Sequence, residues 1–252
     1  MKKTESIKIP SASYSDFNFE EGEILLIDKP LHWTSTDVVR KIRYATGIKK
    51  TGHAGTLDPL ASGLLLVCVG RKATAQIDTL QDGDKEYTGT ITLGATTPCY
   101  DLERPFDAFF DTTGISEADI YAAAHSFLGE SMQSVPLFSA IKIDGKRLYE
   151  TAHKGKTTDT KTRPIRIDAF EVCKIDMPHI HFRIVCNKGT YIRAIAHDFG
   201  KRLQNGAHLS SLRRTKSGDY DIAQAWQLDE LINAIKQGRD KSTANNNNPI
   251  KP

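Results

Sequence analysis

Long apolar runs are absent from this sequence. Its longest apolar run, Leu64–Val69, has six residues, whereas a helix that crosses a membrane needs about 20. No apolar run follows the charged start Met1-Lys2-Lys3, as a secretory signal would require. We therefore expect a cytoplasmic protein with no membrane partner.

Cysteine is scarce, and the common ligand-binding motifs are missing. The four cysteines stand apart without a C-x-x-C pair, which argues against a metal site and favours reduced thiols. Neither G-x-G-x-x-G nor G-x-x-x-x-G-K-[ST] occurs, so no phosphate-binding loop for a nucleotide cofactor is indicated. We expect neither a metal nor an organic cofactor.

The positive charge is unevenly distributed along the 252 residues. Residues 142–166 contain eight basic and three acidic side chains, and residues 183–216 contain eight basic side chains against Asp198 alone. The remaining chain is acidic, although the whole carries +3. Two basic segments in an otherwise acidic chain favour a surface for nucleic acid or another polyanion, and a solvated charged surface is the alternative.

Helices and strands are mixed without regular alternation. Residues 22–30 and 64–69 are typical of buried strands, and 167–175 with 180–186 of a hairpin. Helices are predicted after Thr34-Ser35-Thr36-Asp37, after Ser116 and over 228–235. This order indicates an α+β fold with a mixed, mostly antiparallel central sheet flanked by helices, rather than a Rossmann or barrel fold.

One domain is predicted between two irregular ends. We assign residues 1–21 to a flexible N-terminal arm, 22–236 to the domain and 237–252 to a disordered, Asn-rich tail. Within the domain, residues 129–166 form an inserted basic segment that would clamp the nucleic acid or other polyanion.

Residues 52–63 are the unusual stretch of the chain. Gly52, Gly55 and Gly63 permit backbone conformations and close approaches that other residues do not. Taken alone, Asp58-Pro59 also fits a capped turn, and His53 also fits a polar residue satisfied by its neighbours.

The sequence G-H-A-G-T-L-D-P-L-A-S-G-L-L at 52–65 resembles the catalytic-aspartate motif of the TruB-type tRNA pseudouridine synthases. The resemblance covers roughly residues 22–230 and is closer to the bacterial stand-alone enzymes than to the guide-RNA-dependent dyskerin relatives. The other motifs follow in the family's order: L-I-D-K-P at 26–30, D-K-E-Y at 84–87, L-G-A-T-T at 93–97, P-L-F-S-A-I-K at 136–142, G-K-R-L-Y-E at 145–150, K-G-T-Y-I-R at 188–193 and G-A-H-L with L-R-R at 206–214.

The sequence departs from the family pattern at two places. Pro98-Cys99 stand where the family often has Asp-Thr, which puts a role for those side chains in doubt, although Asp101 is retained. The residues after the last predicted helix are too few for the RNA-binding PUA domain that many members carry, so we expect none.

The resemblance implies a pseudouridine synthase fold and a reaction at the T-loop uridine of tRNA, position 55. It assigns Asp58 the catalytic role, either as nucleophile at the sugar or as base at C2′. It further implies supporting or substrate-binding roles for six residues: Lys29, His53, Tyr87, Tyr191, Arg193 and Leu212. The expected partner is the T arm of tRNA with a flipped-out uridine, and the expected oligomeric state is a monomer.

The roles implied for the supporting residues differ. His53 would fill the space left by the flipped base, and Tyr87 would stack on the uracil and accept the C5 proton. Arg193 would pair with Asp58, because a carboxylate shielded from water needs a cationic partner. Lys29 would support the pocket that Tyr191 and Leu212 line.

The sequence alone is also compatible with purely structural roles for these residues and with two other functions. Tyr87, Tyr191 and Leu212 also fit plain core packing, Arg193 a surface arginine, and Lys29 an exposed lysine at a strand end. The competing functions are a non-catalytic RNA-binding or RNA-chaperone protein, which would not need Asp58, and a glycosidase, which would need a second carboxylate.

Overall fold

The protein is described here from a computed structural model, which covers residues 17–136, 138, 142–143, 146–147 and 162–246. The chain divides into two compact units. The first contains the residues up to Gly83 and those from Arg213 onward, and the second contains Asp84–Leu212. The assignment of 22–236 to one catalytic domain stays a prediction.

The described elements are named here in chain order. They are β1 (Glu23–Lys29), α1 (Ser35–Thr46), β2 (Thr51–Ala54), β3 (Ala61–Val69), α2 (Arg71–Thr74), α3 (Ile77–Gln81), β4 (Lys85–Leu93), β5 (Ala95–Thr96), β6 (Ala108–Phe109), α4 (Glu117–His125), β7 (Gly129–Ser134), β8 (Lys142–Ile143), β9 (Lys146–Arg147), β10 (Thr162–Asp176), β11 (His179–Cys186), α5 (Ile192–Arg202), β12 (Ala207–Ser217), β13 (Tyr220–Asp221), β14 (Trp226–Gln227) and α6 (Leu228–Asn246).

The first unit is built around β3. Strand β1 runs antiparallel to β3 from Glu23↔Val69 to Lys29↔Gly63, and β2 also pairs with β3. Every residue of 63–69 is buried, which explains why this strand is continuously apolar rather than alternating. Strand β14 adds a parallel pairing to β1.

The second unit orders its main strands as β12 (its residues up to Leu212), β4, β11, β10 and β7. Strand β11 is antiparallel to both β4 and β10. Its alternate residues, from Ile180 to Cys186, are buried as the pattern of a half-buried strand requires. The Phe170 ring on β10 lies 5.7 Å from that of Phe199 on α5 and 5.7 Å from that of Phe127, centroid to centroid.

The pairings β1–β3, β2–β3, β4–β11, β10–β11 and β7–β10 are antiparallel, and β1–β14 is parallel. The predicted α+β class with a mostly antiparallel sheet is therefore confirmed. The hairpin predicted around 176–179 is β10–β11, and Thr34 caps α1 with Asp37 in a capping box, as its sequence indicates.

Two boundary predictions were wrong. Helix α6 continues to Asn246 instead of giving way to a disordered tail at 237. The end of the predicted arm is packed: Phe19 is buried, and the rings of Phe17 and Trp226 lie 6.1 Å apart. Residues 1–16 and 247–252 lie outside the described residues, as do Lys154, Lys156 and most of the predicted RNA-clamping insertion.

Candidate active site

The Asp58 loop connects β2 to β3 and is held on both sides of the aspartate. Buried Ser35 accepts a hydrogen bond from the Leu57 N–H at 2.9 Å, and its hydroxyl donates to the Leu57 carbonyl at 3.1 Å. The His32 N–H donates to the Pro59 carbonyl at 2.8 Å. These bonds fix the backbone immediately before and after Asp58, which itself is half-buried.

Lys29 ends β1 with its side chain fully buried. Its ammonium donates to the carbonyls of Trp33 at 2.5 Å and Pro30 at 3.0 Å. Burial lowers the pKa of Lys29 to about 8, the Asp58 charge acts in the opposite direction, and the charge of Arg214 lowers the pKa further. The interpretation of Lys29 as an exposed lysine is therefore wrong.

His53 lies on β2, five residues before Asp58, and is half-buried. Burial, and then the charge of Arg214, lower the pKa of His53 below its ordinary value, so the ring is neutral at neutral pH. Its Nδ1 is buried, and no hydrogen-bond partner faces it within the described part of the chain.

Arg214, for which no role was predicted, is also part of this unit. Its side chain is 1% exposed, with Nε donating to the Leu64 carbonyl at 2.7 Å and Nη2 to the Gly55 carbonyl at 3.1 Å. The L-R-R motif marks two adjacent arginines, but only strand alternation could indicate which one faces inward.

In the second unit, Arg193 is buried near the start of α5. Its Nη1 donates to the Cys99 carbonyl at 3.0 Å and its Nη2 to the Phe138 carbonyl at 3.1 Å, while Nε lies 3.5 Å from Oδ2 of Asp101. The surface-arginine interpretation is therefore wrong. The pairing of Arg193 with Asp58 stays a prediction.

The segment that departs from the family pattern supports Arg193 through its backbone. Because the Cys99 contact uses a main-chain carbonyl, any residue at 99 could supply it, and the departure at Pro98-Cys99 leaves it intact. The Thr97 hydroxyl donates to the Asp101 carbonyl at 2.6 Å, which closes the turn. Asp101, 3% exposed, is a second partner for Arg193 that the sequence did not assign.

The other predicted site residues of the second unit lie on three different elements. Tyr87 is buried on β4, and Leu212 is half-buried on β12. Tyr191 immediately precedes α5, where the buried Gln133 side chain accepts from its N–H at 2.8 Å and donates to its carbonyl at 3.0 Å. Gln133 thus fixes the backbone that carries both Tyr191 and Arg193, and no sequence pattern singled it out.

The basic segment 183–216 presents less free positive charge than its sequence suggests. Arg193 and Arg214 are buried. Other members form ion pairs with carboxylates: Arg183 with Glu86 and Glu171, Lys201 with Asp198, Arg213 with Asp28, and Lys216 with Asp221. A sum of formal charges along a segment therefore overstates the charge available to a polyanion.

The described residues contain neither a candidate metal site nor a candidate membrane-spanning helix. Over the described ranges, no cluster of three or more His, Cys, Asp or Glu side chains is arranged to hold a metal ion. None of the helices described here has both the length and the apolar character that crossing a membrane demands.

Comparison with known proteins links both units to one family. The family model "TruB family pseudouridylate synthase (N terminal domain)" matches residues 43–192, and "tRNA pseudouridylate synthase B C-terminal domain" matches 193–248. A tRNA pseudouridine synthase B of Flavobacterium johnsoniae is 53% identical over 212 residues, 81% of this chain and 92% of the relative. One of Phocaeicola vulgatus is 50% identical over 226 residues, 87% and 96% of the two chains.

Solved structures share the fold. A chain of the crystal structure of a Cbf5-Nop10-Gar1 complex matches 95% of this chain with a TM-score of 0.70 and 28% identity. A chain of an H/ACA RNP bound to a substrate RNA containing 2′-deoxyuridine matches 96% with a TM-score of 0.67 and 25% identity. The present chain spans 64% and 63% of those two chains. With its fold, its Asp58 loop and its relatives in agreement, this chain belongs to the TruB family of pseudouridylate synthases.

Proposed function

We propose that this protein isomerises the T-loop uridine of tRNA, position 55, to pseudouridine, with Asp58 as the catalytic carboxylate. The observation that carries the proposal is the loop of residues 52–63, where an intact family motif is combined with a backbone held on both sides of Asp58. The names of the relatives support tRNA as the substrate.

The reaction is an isomerisation that needs no oxidant, reductant or transferred group. The bond between uracil N1 and C1′ breaks, the base turns, and a bond between C5 and C1′ forms. C5 loses its proton while N1 gains one, so the atoms balance. Asp58 acts at the sugar, either as nucleophile or as the base at C2′, and the pocket must keep water from the glycosyl intermediate.

His53 is the residue suited to the flipping step. A base that leaves its stack gives up a few kcal/mol, and a side chain that fills the vacated space recovers part of it. A neutral imidazole suits that space better than a charged group buried without a partner, and burial lowers the pKa of His53.

The remaining roles follow the family pattern and stay predictions. Tyr87 stacks on the uracil and accepts the C5 proton, Tyr191 and Leu212 line the pocket, and Arg193 stabilises the catalytic carboxylate. Lys29 supports the pocket as a buried cation within reach of the Asp58 charge. We further propose a cytoplasmic monomer that grips the T arm.

The test uses unmodified tRNA that carries tritium at C5 of uridine. Tritium release, together with pseudouridine at position 55 in the digested product, is expected from the purified protein. A tRNA with cytidine at position 55 should lose no tritium in the same assay. Binding without release would favour the RNA-binding alternative, and free uracil would favour the glycosidase, so either result would overturn the proposal.

A further inference from the structure

Arg214 connects the beginning of the loop that carries Asp58 with strand β3, into which the loop leads. Its guanidinium donates to the Gly55 carbonyl, three residues before Asp58, and to the Leu64 carbonyl, six residues after it. A planar guanidinium can hold two carbonyls in different directions at once, which a single ammonium on a flexible stem does poorly. One buried side chain therefore sets the distance between the beginning of the loop and strand β3.

Two glycines, Gly55 and Gly63, lie close to this arginine. A Cβ at Gly55 would lie 3.4 Å from Nη1 of Arg214, and a Cβ at Gly63 would lie 2.3 Å from the Arg214 carbonyl oxygen. Both glycines have positive φ, +90° and +98°. The motif thus holds glycine where the chain must both turn and approach Arg214 closely.

The charge of Arg214 lies close to the functional groups of the loop. It lowers the pKa of His53 and of Lys29, and Lys29 also feels the charge of Asp58. Arg214, Lys29, His53 and Asp58 therefore form one electrostatic neighbourhood at the base of the loop.

We propose that Arg214 is a positioning residue, which fixes the direction of the Asp58 carboxylate by holding the carbonyls of Gly55 and Leu64. This inference rests on the proposed function. A displacement of about 1 Å in a catalytic group lowers a rate by about 10²-fold. Loss of one of the two Arg214 hydrogen bonds should therefore lower the reaction rate by a measurable factor.

The experiment compares Arg214→Lys with wild type in single-turnover tritium release, tRNA binding and thermal unfolding. Lysine keeps the charge and loses the two-carbonyl bridge. We expect a rate about 10²-fold lower, a tRNA Kd within about 3-fold of wild type, and folded protein at the assay temperature. Arg40→Lys is the control, since Arg40 is exposed on α1 of the same unit, and it should match wild type throughout.

A second variant covers failure of the first to fold. Arg214→Gln places no cation in the interior and can still donate to one carbonyl, so it should also fold and show the same loss of rate. NMR titration of His53 gives an independent check on the charge: its pKa should stay low in Arg214→Lys and rise toward its ordinary value in Arg214→Gln.

Each outcome decides the question. A near-wild-type rate in folded Arg214→Lys, or equal losses in rate and tRNA affinity, would overturn the positioning role. Failure of both variants to fold would make Arg214 a stability residue and would also overturn it. No tritium release from wild type would instead contradict the proposed function, on which this inference rests.

Discussion

At the scale of single residues, Arg193 holds two carbonyls and one carboxylate from a buried position. Arg193→Ala removes all three contacts and leaves Asp101 buried without its cation, which costs about 3–5 kcal/mol. We expect the single-turnover rate to fall by several orders of magnitude. Arg193→Lys keeps the charge without the planar fork and should lose less.

Rate and unfolding measurements on both variants check this expectation. The free energy of unfolding should fall in Arg193→Ala and fall less in Arg193→Lys. Small and equal losses in the two variants would contradict a role for the guanidinium geometry.

Lys29 makes the free energy of unfolding depend on pH in a predictable direction. Its pKa is about 8 in the folded protein and 10.5 when exposed, so between these values the unfolded chain binds more protons at this position. The free energy of unfolding then rises with pH in this window. In Lys29→Met that contribution is lost, and the stability of wild type relative to the variant should increase from about pH 8 to 10.5.

Chemical denaturation of both proteins across this pH range measures that difference. Other titrating groups cancel in the comparison, so the remaining slope reports Lys29. A difference that stays constant with pH would show that Lys29 keeps its ordinary pKa in the folded protein.

At the level of the elements, the packing of β3 against β12 depends on Gly63, near the start of β3. Gly63→Ala places a Cβ 2.3 Å from a backbone oxygen at φ +98°, whereas Gly47→Ala meets nothing within 4 Å at φ +76°. Gly47→Ala should lower the free energy of unfolding by about 1–2 kcal/mol, the cost of a left-handed conformation. Gly63→Ala should lower it by about 1–3 kcal/mol more, since a packed backbone must move.

Urea unfolding of the two variants isolates the close approach, because the backbone strain is common to both. Equal losses in the free energy of unfolding would mean that β12 moves away from Gly63 at no energetic cost. The close packing of Arg214 against Gly63 would then not constrain the backbone.

The elements that sequence predicts well are those with local signals. Thr34 and Asp37 mark the start of α1, Ser116 marks that of α4, and the apolar run 64–69 marks β3. The short strand β2 was not predicted because its pairing with β3 is set by tertiary contacts. Residues 71–81 form two short helices, α2 and α3, and neither has a side-chain N-cap bond that would mark its start in the sequence.

The sequence predicted only those residues of the candidate site that have an assigned role in the motifs shared with the family. The motif pointed to Asp58, His53, Lys29 and Arg193. Arg214, Asp101 and Gln133 were missed because their roles depend on which distant carbonyl or carboxylate they meet in the folded chain, and spacing along the sequence does not show this.

At the scale of the whole molecule, RNA binding should be electrostatic. Since several basic residues of 183–216 are buried or paired with carboxylates, we expect residues 142–166 to supply more of the phosphate contacts. Log affinity for tRNA should fall steeply with log salt, by about 0.7–0.9 per neutralised phosphate. Replacing Lys154 and Lys156 with Ala should reduce that slope by about one to two.

The control removes two positive charges elsewhere: Lys72→Ala with Lys174→Ala, both exposed and outside the basic segments. Filter binding at several salt concentrations should show an unaltered slope for the control. A slope also unaltered in the Lys154 and Lys156 double variant would place the phosphate contacts in residues 183–216 instead.

Asp58→Asn tests whether Asp58 catalyses the isomerisation. The substitution keeps the size of the side chain and removes its charge, while the loop contacts of Leu57 and Pro59 use other atoms. Tritium release from C5-labelled tRNA should be abolished, and the tRNA Kd should stay within a few-fold of wild type. Release at about a tenth of the wild-type rate would contradict the account, because that loss is only about 1.4 kcal/mol in the barrier.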